Sequence, residues 1–169
     1  MLFIQTGGTI DKDYPRTTKG YAFEILEPAV KRVLQKTNPA FDYEILSVLK
    51  KDSLEITEDD RQKIYLACKN SGAEKIIITH GTDTMLETAK KLSGIKGKAI
   101  IITGAMRPEK FSDSDASFNL GSAIGAANLL KEGVYVAMNG RIHPWQDCKR
   151  NLETGQFVSP FFSCEEKKV

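Results

Sequence analysis

Two short segments of this chain set a threonine directly behind glycine: Thr6-Gly7-Gly8-Thr9 and His80-Gly81-Thr82-Asp83-Thr84. Glycine lets a backbone approach a ligand closely, and the N–H groups exposed there can face a developing negative charge. A threonine hydroxyl can attack a carbonyl carbon once a neighbour takes its proton. Asp83 could receive an ammonium group or join a proton relay. For either segment alone a plainer reading stands beside this one. Gly7-Gly8 would be a tight turn, and Thr82 or Asp83 would cap a helix.

The elements that must position these residues are legible as alternating patterns. Apolar, β-branched runs at 2–5, 43–48, 75–79, 98–103 and 133–138 read as strands. Ile76-Ile77-Ile78 and Ile100-Ile101-Ile102 are apolar on both strand faces, the mark of central parallel strands covered on both sides. Helical spacing links Leu26, Val30, Val33 and Leu34, with Pro28 in the first turn. Thr57 and Asp60 form a capping box for a second helix that stops at Gly72. Helices are also expected over 83–93 and 117–131, and the last thirty residues read as a surface strand and a tail. The order predicts an α/β fold, flavodoxin-like, with a mostly parallel sheet, helices on both faces and right-handed crossovers. In such sheets ligands bind beyond the carboxyl ends of the strands, where both Gly-Thr segments fall. Asp52-Ser53 and Gly104-Ala105-Met106-Arg107-Pro108 follow two further strands.

Composition removes several classes. The chain has 169 residues, 24 Lys and Arg against 22 Asp and Glu, and a net charge of +2, so no broad basic face for nucleic acid is expected. The three cysteines, Cys68, Cys148 and Cys164, have no CxxC spacing, and there are two histidines, His80 and His143. Neither a disulfide framework nor a metal or cofactor site is expected. Cys68 reads as core, His80 as a structural hydrogen-bonding residue, and His143 with Trp145 as part of a surface strand or loop. Lys50-Lys51 and Lys90-Lys91 read as solvated faces. No run reaches the ~18 apolar residues that span a bilayer, and no signal peptide is evident, so the expected compartment is the cytoplasm.

Together, Thr6-Gly7-Gly8-Thr9-Ile10 and His80-Gly81-Thr82-Asp83-Thr84-Met85 resemble the two signature segments of the bacterial-type L-asparaginase/glutaminase family. Residues 104–108 and 114–120 resemble two more. The resemblance runs from about residue 2 to 162 and covers that family's N-terminal domain, so residues 1–169 are expected to form a single domain of that type. It implies an L-asparaginase-type amidohydrolase that converts asparagine to aspartate and ammonia, glutamine being slower. Carried over residue by residue, it makes Thr9 the nucleophile and Tyr21 the tyrosine that contacts it from a mobile lid over 11–23. Arg16 and Lys19 of that lid could steer an anionic substrate. Thr82 and Asp83 match the second threonine and the aspartate, which also binds the α-amino group. Ser53 matches the serine that holds the α-carboxylate, and Gly8, Gly81 and Ala105 match backbone contacts to substrate.

The chain departs from the family pattern at Leu54, where many relatives have a polar residue, and at the family's relay lysine. That register falls on Arg150, with Lys149 one position early, and a guanidinium cannot shuttle a proton as an amine can. In two-domain members an acidic residue from the C-terminal domain of a neighbouring subunit completes the first threonine's triad; here the resemblance leaves either a substitute group from a neighbouring copy or a reaction without one. A homo-oligomer, dimer or tetramer, is therefore the implied partner state, with a small amino acid as ligand and neither nucleic acid nor membrane. Two other readings stand beside the hydrolase: an amino-acid-binding relic of the fold, and the branch that amidates charged tRNA. A nucleotide site is not indicated, since there is no Gly-Lys-Ser/Thr and no GxGxxG.

Overall fold

Ile76-Ile77-Ile78 and Ile100-Ile101-Ile102 lie side by side at the centre of a six-stranded sheet, each fully buried. The structure is a computed structural model and describes residues 1–14 and 23–160. Its strands are β1 (Leu2–Gly7), β2 (Lys12–Asp13), β3 (Glu24–Ile25), β4 (Glu44–Lys51), β5 (Lys75–Thr79), β6 (Ala99–Thr103), β7 (Gly133–Met138), β8 (Arg141–Pro144), β9 (Lys149–Arg150) and β10 (Phe157–Val158). The helices are α1 (Ala29–Thr37), α2 (Glu58–Asn70), α3 (Met85–Leu92) and α4 (Ala116–Leu129). The main sheet runs β4-β1-β5-β6-β7-β8, parallel except for β8, which returns antiparallel along β7. This is the flavodoxin-like α/β arrangement expected from the alternation, with an added antiparallel edge strand. No helix among the described residues is long and apolar enough to cross a membrane.

Two apolar layers sandwich the sheet. On one face α2 and α3 bring Ile64, Met85 and Leu92 against Ile4, Ile78 and Ile102. On the other, α1 and α4 bring Leu34, Leu120 and Ala123 against Phe3, Ile77 and Ile101. The faces reveal one crossover that departs from expectation. The step β1–α1–β4 goes one way across the sheet with its helix on one face. The steps β4–α2–β5 and β5–α3–β6 go the other way with helices on the opposite face, so all three share a hand, the right hand that strand twist favours. The step β6–α4–β7 continues in the same direction as β5–α3–β6 but carries its helix to the α1 face, so it is left-handed. The long loop 104–115 joins β6 to α4 in this step. Glu109, within it, is tied to Arg32 and Lys36 of α1 at 2.5 and 3.1 Å.

Several boundaries also shift. β1 and β4 run on to Gly7 and Lys51, because the two strands still pair there after a register shift. Pro28 is the cap of α1 rather than its first turn. α2 has both halves of its capping box, Thr57 and Asp60, and ends at Asn70. α3 begins at Met85 behind Thr84, so neither Thr82 nor Asp83 caps it. The C-terminal stretch is less superficial than its irregular composition implies: His143, Cys148 and Phe157 are all buried, the latter two within the α2/α3 core.

Candidate active site

The chain leaves β1 toward β4 on one side and reaches β5 on the other, so the tips of β1 and β5 flank the point where strand order reverses. Gly8 sits here at φ +84°, and its N–H donates to the Lys51 carbonyl at 2.9 Å. A Cβ on Gly8 would lie 2.3 Å from both N and Cα of Gly81. The residues that precede Thr9 and Thr82 are therefore in main-chain contact, which only glycine permits. The Thr6 hydroxyl adds a tie between the two strands by donating to the Thr79 carbonyl at 2.8 Å. Thr9 is half-buried and opens a single 3-10 turn, Thr9–Asp11; Thr82 is 9% exposed.

The turn after β4 joins them. Asp52 accepts from the Leu54 N–H while Glu55 accepts from the Asp52 N–H, which shapes the short turn Ser53–Glu55. A Cβ on Gly81 would lie 2.6 Å from the Ser53 Oγ, so Ser53 packs directly on the second glycine. The Ser53 hydroxyl donates to Asp83 Oδ2 at 3.3 Å, and the Thr84 hydroxyl donates to the Ser53 carbonyl at 2.7 Å. On its other oxygen Asp83 takes a hydrogen bond of 2.5 Å from Arg150 Nη1.

This contact separates the two cationic candidates. Successive strand residues face opposite sides, so Lys149 and Arg150 cannot both reach Asp83. β10 sets the register: Phe157 pairs with Arg150, is 1% exposed, and donates its N–H to Asn139 Oδ1 at 3.0 Å. Lys149 stands exposed, and Arg150 is brought to the site. Tyr21, Arg16, Lys19 and most of the expected lid lie outside the described residues, as does Cys164.

After β6, Ala105 is buried in a small cluster with Ile10, Ala29 and Ala116, which clamps the loop 104–115 onto the Thr9 turn. The Glu109 N–H donates to the Ile10 carbonyl at 3.2 Å. Asp115 accepts from the N–H groups of Met106 and Arg107, and Asn119 donates to the Gly104 carbonyl. A cleft of about 500 Å³ opens beside Thr9, walled by Lys12, Phe23, Met106 and Phe111; of the sequence-derived site residues that are described, Thr9 alone lines it.

Burial tunes two groups nearby. His80 is fully buried and its pKa is pushed down to about 4. Its Nδ1 lies 2.8 Å from the Gly81 carbonyl, which can only accept, so Nδ1 carries the proton and Nε2 accepts from the Thr88 hydroxyl. That is the structural role expected for it. Asp11 is 1% exposed, and burial pushes its pKa up to about 6 although the Ala29 N–H donates to it at 2.7 Å. By contrast the ammonium of Lys12, 2.7 Å from Asp52, holds that carboxyl below its ordinary range. Asp11 and Lys12 carry no motif that marks them in the sequence. Their signal is position alone, immediately behind Thr9-Ile10.

Comparison with known proteins converges on one family. Over 175 residues the chain is 30% identical to a glutaminase-asparaginase of Acinetobacter glutaminasificans, matching 94% of this chain and 52% of that protein. It is 49% identical over 95 residues to a glutamyl-tRNA(Gln) amidotransferase component of Methanococcus vannielii, 55% of this chain and 22% of that protein. In structure it is similar to the thermostable L-asparaginase from Thermococcus kodakarensis, with a TM-score of 0.77, 27% identity, and 94% of this chain on 50% of that one. A probable cytoplasmic L-asparaginase from Campylobacter jejuni gives 0.76 and 26%, with 95% of this chain on 53% of that one. The chain thus spans about half the length of the asparaginases it matches, or less. Since the "Asparaginase, N-terminal" family model extends over residues 1–161, this chain belongs to the asparaginase family through that N-terminal domain.

Proposed function

We propose that this chain hydrolyses the side-chain amide of L-asparagine to L-aspartate and ammonia, with L-glutamine as a slower substrate. The observation that carries the reading is the main-chain contact between Gly8 and Gly81, which joins the turns bearing Thr9 and Thr82 at one edge of the sheet. Thr9 Oγ attacks the amide carbon, and its proton leaves with the amide nitrogen as ammonia. The resulting threonyl ester is then split by water, which restores the hydroxyl and releases the carboxylate. Main-chain N–H groups at the glycine turns stabilise the oxyanion; one such donor is typically worth about 2.7–4 kcal/mol of barrier. Asp83 binds the α-ammonium, Ser53 the α-carboxylate, and Gly8, Gly81 and Ala105 offer backbone contacts.

Arg150, rather than Lys149, takes the place of the family's lysine beside Asp83. A guanidinium keeps its proton, so it orients Asp83 and does not relay. Tyr21 closes over the nucleophile in this reading. A homo-oligomer, dimer or tetramer, in the cytoplasm is the proposed state, with the neighbouring copy offering a substitute for the acidic group of the family's first triad beside Thr9.

A second reading, an amino-acid-binding relic, is favoured by that same arginine. Ammonia release from asparagine and from glutamine, read beside titration calorimetry with aspartate, separates them. The hydrolase reading expects Thr9→Ala and Thr82→Ala each to lose about 10³-fold or more in turnover. Aspartate binding without ammonia release from the unmodified protein leaves the relic. Glutamine turned over faster than asparagine would move the reading to the amidotransferase branch, whose Methanococcus vannielii relative is 49% identical over 95 residues.

A further inference from the structure

Asp11 shares one 3-10 turn with Thr9, and its carboxylate is the most deeply buried in that region at 1% exposure. It accepts the Ala29 N–H at the start of α1 at 2.7 Å and faces the Thr79 hydroxyl at the end of β5 at 3.5 Å. Its backbone is fixed as well: its N–H donates to the Gly8 carbonyl at 3.1 Å and its carbonyl accepts from Leu26 at 3.4 Å. One side chain thus ties the nucleophile's turn to the strand that leads into His80-Gly81-Thr82 and to the helix that follows β1. We infer that Asp11 is a positioning residue for the Thr9 hydroxyl, holding the first threonine turn in register with the second through Ala29 and Thr79. The inference rests on the reading of Thr9 as nucleophile.

A buried carboxylate is costly in an apolar site unless hydrogen-bonded, and a fold that needed only a turn here could place any small polar residue. What the carboxylate adds is two acceptor oxygens aimed at two different elements. A displacement of about 1 Å at a reacting group can cost roughly 100-fold in rate, so a turn that carries a nucleophile gains from such a double anchor. The groups that face Asp11 are neutral on β1 (Gln5) and β5 (Thr79); on α1 they are the Ala29 N–H and Arg32, the latter paired with Glu109 of the loop 104–115. His80, next to Thr79, is neutral above its pKa of about 4. With its own pKa near 6, Asp11 changes charge between about pH 5 and 7, and the ionised form is the better acceptor for both partners.

Asp11→Asn keeps an acceptor for the Ala29 N–H, whereas Asp11→Ala removes both anchors. The test measures asparagine turnover per folded molecule from pH 4.5 to 8.5, and aspartate affinity by calorimetry, for both variants and the unmodified protein. For Asp11→Ala the expected result is kcat lower by about 100-fold with KM within about threefold, and Asp11→Asn within about tenfold of the unmodified protein. The rise in kcat through about pH 6 disappears in Asp11→Asn. Unchanged kcat in Asp11→Asn with the pH 6 step intact overturns the inference, as does an Asp11→Ala that folds and turns over normally. Should the unmodified protein bind aspartate but release no ammonia, the hydrolase reading fails by itself. Weaker aspartate binding in Asp11→Ala, recovered in Asp11→Asn, would then uphold the positioning role, and equal binding in all three would end it. A protein that neither binds nor turns over sinks both.

Discussion

The turn after β1 and the turn after β5 carry the same glycine-threonine pair and are anchored by different physics. Behind Thr9, Ile10 is fully buried and Asp11 is 1% exposed, so that turn is held from within by packing and by hydrogen bonds to a buried carboxyl. Behind Thr82, Asp83 keeps 43% of its side chain exposed and is held by Arg150 and Ser53 at the rim. A buried anchor resists salt and tolerates little movement, but its charge state is at the mercy of pH. A rim anchor is weaker, is screened by salt, and leaves its carboxylate free to exchange one cationic partner for another, including a substrate ammonium. The proposed nucleophile therefore sits on the rigid turn, and the residue proposed to bind the substrate's amine sits on the adaptable one.

The severest way to break this arrangement is at the joint. Gly8→Ala places a Cβ 2.3 Å from the Gly81 backbone at a φ of +84°, so it combines left-handed strain with a clash against main chain that cannot rotate away. Strain and overpacking together are expected to cost about 4 kcal/mol, measured by urea unfolding, with both turns displaced and asparagine turnover lost. Gly72→Ala is the matched control. Nothing lies within 4 Å of its added Cβ, and stability should stay within about 0.5 kcal/mol. Equal effects at the two glycines would mean that the turns do not depend on their contact.

Next in size is the pH dependence of the buried anchor. The folded pKa of Asp11, about 6, lies above the unfolded value of 3.8, so the native state binds more protons between those limits. Its contribution is therefore most favourable below pH 3.8 and is lost as pH rises through 6, a swing of about 3 kcal/mol at 1.36 kcal/mol per pKa unit. Unfolding free energies at pH 5 and pH 8 for the unmodified protein and Asp11→Asn capture about 1.4 kcal/mol of that swing, the part still present at pH 5. The variant should gain relative stability at pH 8; a difference that is flat with pH would show that the carboxyl is not held in that state.

How much of this was legible follows from what a sequence pattern encodes. The triple-isoleucine runs are apolar on both faces, and they proved to be the two central strands, so the sheet's middle could be read from composition alone. The Gly-Thr segments were legible because a clash-free backbone approach demands glycine whatever the neighbours are. The left-handed step through α4 was not, because hand is decided by where the loop 104–115 docks, and that depends on Glu109 meeting Arg32 and Lys36 more than seventy residues away in sequence. His143 and Cys148 read as superficial because short irregular strands have no periodicity to reveal an inner face. Arg150 against Lys149 was a question of register by one residue, and its answer lay in Phe157, whose burial fixes which of the two points at Asp83.

That register supplies the smallest and most discriminating test of the rim anchor. With side chains 25% and 43% exposed, the Arg150–Asp83 pair should be worth under about 1 kcal/mol, so Arg150→Met barely moves the unfolding midpoint. Its effect belongs in binding. With the guanidinium gone, Asp83 loses the group that orients it, and aspartate affinity should fall by about tenfold, the loss shrinking in high salt. Arg150→Lys restores charge with an amine that can give up a proton, so affinity should recover, and turnover should acquire an added alkaline limb in its pH profile that the guanidinium does not supply. If Lys149→Met, on the outward face of the same strand, reproduced the loss seen for Arg150→Met, then β9 would be read in the wrong register and the rim would be held by the other cation.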